Sequence, residues 1–354
     1  MKRLKMNYLF LSCIRKERMK PTKEIRIAIN GFGRIGRYTA KLILENKDLK
    51  LVAINDLAEP KAIAHLLKYD SIHGKLEKNI ALNSNELTYN DQSIKLFGIS
   101  DPELLPWREL DIDLVIECTG RFTERSGAEK HLSAGAKKVI ISAPSLDPTI
   151  KMVVLGVNDN ILSGNEKIVS NASCTTNCLA PMVAVLDKNF GVVKGFASTV
   201  HSYTNDQNLH DAPHRDLRRA RAAAYSIIPT TTNAGKALDL VLPELSGKIE
   251  ASAMRVPVPD GSLTDLIVEL EQEVTDEMIN DAFRKASEED LKGFLEVEDE
   301  PIVSIDIIGN PHSCIIDAAL TSTKGKMVKL VGWYDNEAGY ANRLVDLAKK
   351  ISKS

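Results

Sequence analysis

Two residues, Cys174 and His201, have the types and settings for covalent chemistry on a carbonyl. Cys174 stands in Ser170-Asn-Ala-Ser-Cys-Thr-Thr-Asn-Cys178, just ahead of an apolar run (Leu179, Met182, Val183, Val185, Leu186) with helical spacing. The sequence therefore predicts that Cys174 opens a helix, where aligned backbone dipoles and free N–H groups favour an anion and lower a thiol pKa. His201 lies in Thr199-Val-His-Ser-Tyr-Thr204, at the end of a β-like run from Phe196. A thiol beside an imidazole is a route to an acyl-enzyme thioester. Taken singly, each residue has a blander reading, since lone cysteines are mostly buried apolar residues and lone histidines mostly structural. Cys174 and Cys178 are one helical turn apart, but no second Cys or His pair nearby completes a tetrahedral set, so no metal centre is expected.

The elements that must position this pair begin near the N-terminus. Ile25 to Asn30 reads as a buried parallel strand, followed directly by Gly31-Phe-Gly33-Arg34-Ile35-Gly36 and an amphipathic helix. Leu51 to Asn55 is a second strand, and it runs into Asp56. Strand, G-x-G-x-x-G turn, helix, second strand and terminal acid together make a dinucleotide-binding fingerprint. The glycines permit a tight turn and close approach of backbone to a pyrophosphate at the helix N-terminus. Asp56 can accept hydrogen bonds from an adenosine 2′-hydroxyl and would repel a 2′-phosphate, which favours NAD over NADP.

A nucleotide cleft combined with a reactive cysteine suggests an aldehyde-oxidising dehydrogenase. From Ile25 to the C-terminus the chain resembles the phosphorylating glyceraldehyde-3-phosphate dehydrogenases. The resemblance is carried by INGFGRIGR (29–37), VAINDL (52–57), SNASCTTNCLAP (170–181), TVHSYTNDQ (199–207), DLRRARAAA (216–224), AMRVPVP (253–259) and GWYDNEAGY (332–340). It implies a Rossmann-type parallel-sheet domain over 21–173, completed by a C-terminal helix over 336–354. An α+β catalytic domain with a mostly antiparallel sheet would span 174–335. It also implies that Cys174 attacks an aldehyde, that His201 acts as its base, and that a thioester is then cleaved by inorganic phosphate. Thr204, Asp206 and Arg255 would bound the substrate phosphate. Ser173, Thr175, Thr232, the backbone near Asn233 and Arg219 would bound the attacking phosphate. On the cofactor side it assigns Arg34, Ile35 and Asp56 to the adenosine half, next to the pyrophosphate turn of Gly31, Gly33 and Gly36. Thr119, Gly120 and Ser142 would follow the nicotinamide half, Asn336 would hold the nicotinamide amide, and Tyr340 would pack on the ring or in the core. For Arg218 and Arg221 a solvated or subunit-contacting face is the preferred reading.

The chain departs from the family pattern at three places. Asn233 stands where many members have Gly, keeping the N–H and tolerating positive φ. Ser100 replaces an Arg near the adenine, and Ala212-Pro213 replaces Leu-Pro, which leaves room for some NADP use. The expected reaction is phosphate-dependent oxidation of glyceraldehyde 3-phosphate to 1,3-bisphosphoglycerate. Erythrose-4-phosphate dehydrogenase and a catalytically silent NAD-binding or surface protein remain as alternatives. The family also implies a homotetramer, with the loop from about Tyr203 to Ser226 near a neighbour's cofactor.

Composition agrees with this reading. The chain has 354 residues, a net charge of −2 and five cysteines without framework spacing, fitting two domains in a reducing, cytoplasmic setting. No basic field argues for nucleic acid, and no apolar run approaches the roughly 20 residues needed to span a membrane. Long alternating strands are expected at 249–258, 263–274, 303–308, 314–321 and 327–333, with one helix from Thr275 to about Glu289. Residues 1–20, with a seven-residue apolar run and no cleavage pattern, read as a disordered arm or an upstream start, Met19 being the natural beginning.

Overall fold

The computed structural model describes residues 24–352, so the expectation for residues 1–20 falls outside the described residues. Strand β1 (Ile25–Asn30) is followed by α1 (Arg34–Leu44) and β2 (Leu49–Asn55). Strands β3 (Leu114–Glu117), β4 (Lys138–Ile141) and β5 (Ile168–Ser170) continue the same sheet. The parallel order β5-β4-β3-β1-β2 leaves β1 between β2 and β3. Successive crossovers therefore diverge on either side of β1, and the crevice beyond its C-terminal end is where such sheets bind ligands. An antiparallel meander, Ile80–Asn83, Glu86–Tyr89 and Gln92–Phe97, extends the edge beyond β2. The sequence analysis did not anticipate it, although Leu87, Tyr89, Ile94 and Leu96 alternate with polar residues and are buried, because each strand is only four to six residues long.

Helix α2 (Cys174–Phe190) leaves this sheet and leads into β6 (Val192–Ser202). The second sheet adds β7 (Ile249–Val256), β8 (Ser262–Leu270) and β9 (Met327–Tyr334). It is mixed rather than purely antiparallel: β6 runs parallel to β7 and antiparallel to β8, and β8 pairs antiparallel with β9. Apolar residues of α2 (Cys178, Leu179, Met182, Val183, Leu186) pack with Leu266, Val268 and Leu330 in one core. The final helix α3 (Ala338–Ser352) returns to the first sheet, where Leu344, Leu347 and Ile351 share a core with Ile27, Ile29 and Leu51.

Two sequence expectations need correction. Val303–Ile308 is not a strand but a series of turns in which Asp306 Oδ2 accepts from Val303 N at 2.8 Å. This local side-chain bond outcompetes a ladder, leaving Val303 and Ile305 exposed and only Ile307 in the core. Likewise the strand expected to run from Cys314 to Thr321 ends at Asp317, whose carboxylate caps a 3₁₀ turn by accepting from Leu320 N. The helix expected from Thr275 spans Asp276–Glu288, with Thr275 Oγ1 accepting from Met278 N at 3.3 Å.

The glycine turn has a measurable steric demand. A Cβ on Gly36 would lie 2.2 Å from Gly31 O, and one on Gly31, whose φ is +91°, would lie 2.7 Å from the Cys118 carbonyl carbon. Gly36 thus lets the first turn of α1 press against the loop that leaves β1. We expect Gly36→Ala to destabilise the protein by about 1–3 kcal/mol despite alanine's better helix propensity, because the clash is with backbone. Thermal or denaturant unfolding would check this, and an unchanged or raised Tm would refute it.

Candidate active site

Helix α2 is built to present Cys174. Ser173 is its N-cap, with Oγ accepting from Thr176 N at 3.0 Å. The residue before it, Ala172, is held at φ +55°, a conformation that costs a non-glycine residue about 1–2 kcal/mol. The Tyr340 hydroxyl donates to Ala172 O at 2.8 Å, so the strained loop is braced from α3. Cys174 is then the first helical residue, with Sγ 3.5 Å from His201 Nε2. His201 comes from β6, whose register places it directly opposite Arg255 on β7.

Electrostatics at this pair differ from the sequence expectation. Burial pushes the Cys174 thiol up, against the downward pull of Arg255 and of Thr175. Burial, helped by the Arg255 charge, lowers His201 to about 3. The helix-end effect, about 0.3–2 kcal/mol, is outweighed by desolvation, and the pair is a neutral thiol and a neutral imidazole.

The Nδ1 side sets which neutral imidazole is present. Nδ1 lies 2.8 Å from Ser202 O and 2.7 Å from Arg255 Nη1, which also reaches Ser202 O at 3.0 Å. A proton on Nδ1 would donate to Ser202 O and leave Nε2 as the acceptor facing Cys174. A hydrogen bond from Arg255 to Nδ1 requires the other tautomer. Arg255 therefore competes with the tautomer in which His201 is a base.

A cavity of about 490 Å³ lies over the pair, lined by Cys174, His201, Thr204, Asp206, Arg34, Ile35 and Asn336 among others. A second, about 340 Å³, is lined by Gly31, Gly33, Asp56, Ser100, Thr119 and neighbours. Gly33 and Cys118 border both, making one cleft that runs from the end of β1 to the thiol. Asn336 Oδ1 accepts from Ser202 Oγ at 2.9 Å and from Ser262 Oγ at 2.7 Å. Both bonds fix its oxygen, which assigns the amide N–H₂ as the group left to face a ligand. Asp56 accepts from Phe32 N at 2.6 Å and Ala58 N at 2.9 Å, holding its carboxylate at the cleft mouth.

The other expected residues divide into those at the cleft and those behind it. Thr175 Oγ1 is turned inward, 3.0 Å from the Tyr334 hydroxyl, which also meets Thr199 at 2.8 Å. Arg219 pairs with Asp206 and donates from Nε to Thr230 Oγ1 at 2.7 Å, so both are ion-paired here. Thr232 Oγ1 accepts from Ala234 N, and Asn233 stands at the N-cap position of the following helix at φ −93°, without a side-chain cap bond. The positive φ that asparagine tolerates is therefore not used at this position. The Ser142 side chain hydrogen-bonds the Cys118 thiol, and Gly120 takes φ +69° at the turn after β3. Tyr340 is a core residue that braces the cysteine loop. Arg221 pairs with Asp211 at 2.9 Å on the surface.

Sequence reading missed several supports. Ser202 and Ser262 hold Asn336, and Tyr334 holds Thr175. Beneath the cleft, Trp107 Nε1 donates to His131 Nδ1 at 3.0 Å, and His131 Nε2 meets Glu117 Oε2 at 3.0 Å. Glu117 in turn accepts from Thr119 N at 2.7 Å and from Asn30 Nδ2 at 2.5 Å. The only signal in the sequence was a glutamate inside an otherwise apolar strand.

Two expected outcomes test this geometry. Ser262→Ala removes one of the two donors to Asn336 and should weaken NAD binding several-fold with little change in Tm; unchanged affinity would show that the amide is held otherwise. For His201 the lowered pKa fixes a sign. An unfolded imidazole takes its proton near pH 6.5, whereas the folded one stays neutral down to about pH 3. This contribution to stability is complete above pH 6.5 and is lost as pH falls towards 3, at up to ~1.4 kcal/mol per pH unit. His201→Asn should flatten the fall in stability between pH 6.5 and 5 by about that slope in denaturant titrations, and equal slopes would refute it.

Comparison with known proteins gives a consistent picture. Residues 25–125 match the family model for the glyceraldehyde 3-phosphate dehydrogenase NAD binding domain, and residues 173–336 match its C-terminal domain. The chain is 55% identical over 326 residues to glyceraldehyde-3-phosphate dehydrogenase 2 of Streptomyces avermitilis, covering 91% of this chain and 97% of that one. It is 54% identical over 330 residues to the Geobacillus stearothermophilus enzyme of that name, covering 93% and 98%. It is 53% identical over 331 residues to glyceraldehyde-3-phosphate dehydrogenase 1 of Bacillus subtilis, covering 93% and 98%.

Proposed function

Because the chain belongs to the glyceraldehyde-3-phosphate dehydrogenase family, we infer that it oxidises glyceraldehyde 3-phosphate to 1,3-bisphosphoglycerate with NAD and inorganic phosphate. The observation that carries this reading is the 3.5 Å contact of Cys174 Sγ with His201 Nε2 at the inner end of the cleft. The cleft residues fit NAD: the glycine turn leaves no room for side chains at Gly31 and Gly36, Asp56 faces the mouth, and Asn336 is held with its amide N–H₂ free. Bound NAD supplies a hydride acceptor.

His201 Nε2 takes the Cys174 proton as Sγ adds to the aldehyde carbon and passes it to the new alkoxide, giving a neutral thiohemiacetal. The hydroxyl of that adduct then gives its proton to the neutral His201 as hydride departs, leaving a thioester. Phosphate attacks the thioester carbon, the C–S bond breaks, and the leaving sulfur takes the proton held on His201, regenerating the thiol. Backbone N–H groups at the start of α2 stabilise the oxyanion in both additions.

Arg255 links substrate binding to this chemistry. A substrate phosphate held by Thr204, Asp206 and Arg255 draws the guanidinium away from His201 Nδ1. The proton then settles on Nδ1, bonded to Ser202 O, and Nε2 becomes the base. Ser173, Thr175, Thr232, the Asn233 backbone and Arg219 form the second phosphate position, with Arg219 exchanging Asp206 for the anion. Arg34, Ile35, Thr119, Gly120 and Ser142 flank the cofactor.

The active form is a homotetramer working in the cytoplasm. In support, large apolar side chains on and beside the loop over 203–226 (Leu209, Leu217, Tyr225, Ile227) and Phe196 on β6 are exposed in the single chain. The described cysteines are all free, and no described helix is long and apolar enough to cross a membrane.

The test is the initial rate of NAD reduction with glyceraldehyde 3-phosphate, with and without phosphate or arsenate, and again with NADP. Activity should require the anion, prefer NAD and fall roughly 10³-fold or more in Cys174→Ser. Phosphate-independent oxidation, with erythrose 4-phosphate preferred, would replace this reading with the sister activity. NAD binding without turnover would make the chain a silent binder.

A further inference from the structure

Bordering the catalytic cavity at Glu337, next to Asn336 and Arg34, lies a buried charge cluster that no step above uses. His73 Nε2 is 3.0 Å from Glu337 Oε2 and 3.4 Å from Asp260 Oδ2. One ligand atom from each of these three residues lies within 4.8 Å of the other two. We propose that His73, Asp260 and Glu337 form a binding site for a divalent transition-metal cation of the zinc class, distinct from the catalytic thiol.

Three observations support the site. First, the spacing fits: ligands about 2.1 Å from a tetrahedral ion sit roughly 3.4 Å apart. The two closest separations here are 3.0 and 3.4 Å, and rotation of either carboxylate closes the third. Second, Asp260 is almost wholly buried, and its Oδ2 has no hydrogen-bond partner although it points at the imidazole. A buried carboxylate oxygen without a donor is costly, and a cation is what such an oxygen lacks. Third, acids crowd the site, Asp260 lying beside Asp335 and Glu337. Asp70 and Glu337 pair with Arg34, and Asp335 accepts from three backbone N–H groups, Gly309, Glu337 and Ala338. Among the described residues, Asp260 accepts from its neighbour Gly261 N and otherwise meets only the imidazole edge and the carboxyl of Asp335, itself an acid.

The donor set, one imidazole and two carboxylates, suits zinc or manganese rather than calcium or magnesium. Arg34 need not leave. It keeps Asp70 through both terminal nitrogens, at 2.8 and 3.0 Å, and Glu337 Oε1 through Nε at 2.7 Å. The ion would brace Glu337 from behind, and Glu337 adjoins Asn336, so occupancy should alter affinity at the nicotinamide end. The ligands come from 73, 260 and 337, separations at which no sequence motif shows.

The experiment must exclude zinc capture by the catalytic thiol, so it uses the full chain carrying Cys174→Ser. Titration with Zn²⁺ followed by calorimetry, and with Co²⁺ followed by visible absorption, should give one ion per chain and a raised Tm. Adding Asp260→Asn, and separately His73→Gln, should weaken binding roughly tenfold or more and abolish the Tm shift. Asp260→Asn keeps shape and removes charge, so it remains informative if His73→Gln fails to fold by circular dichroism. If the Cys174→Ser protein takes up no ion, or Asp260→Asn binds as tightly as its parent, the cluster is an ion-pair network only and the proposal fails.

Discussion

The contact between Cys174 Sγ and His201 Nε2 is the constraint around which the molecule is arranged. The sulfur belongs to the first turn of a helix that leaves the parallel sheet, and the nitrogen to a strand of the mixed sheet. Neither element can move without the other: α2 is sheathed by apolar side chains of the second sheet, and its entry loop is pinned by the Tyr340 hydroxyl from α3. The strained Ala172 is tolerated because both neighbours are fixed. A helix running out and a helix running back thus clamp one sulfur at the seam of two sheets.

The cofactor side is held by a comparable device without strain. Trp107 can only donate, so its bond to His131 Nδ1 requires that nitrogen to be an acceptor and places the imidazole proton on Nε2, facing Glu117. Glu117 therefore remains a fixed acceptor for Thr119 and Asn30, and Asn30 in turn accepts from Asn55 Nδ2 at 2.7 Å. Three residues lining one cavity of the cleft, Asn30, Asn55 and Thr119, inherit their orientation from one tryptophan outside it.

What was legible in the sequence was local. The Gly31–Gly36 turn, the acid after β2 and the helix start at Cys174 depend on neighbours within a few positions, so spacing reveals them. Strand pairing is not local. The parallel β6–β7 ladder sets His201 against Arg255, 54 residues apart, and nothing in either strand records which partner it takes. The 303–308 segment misled for the opposite reason: its alternation was real, but Asp306 offered the backbone a nearer partner than any strand. The supports of Asn336 went unseen because a serine's value lies in what it faces.

The neutral state of the reactive pair follows from magnitudes. At an effective dielectric near 20, opposite charges about 4 Å apart attract by about 4 kcal/mol. Desolvating a thiolate and an imidazolium costs several kcal/mol for each ion. The helix end adds only about 0.3–2 kcal/mol in favour of the thiolate. With burial acting on both groups, charge separation loses unless something else consumes the charge. Addition to a carbonyl does so, because the sulfur becomes neutral as the proton is taken up. A resting thiol is also a poor target for oxidation, which proceeds through the thiolate. Burial therefore confines nucleophilicity to the moment when an aldehyde carbon is within reach.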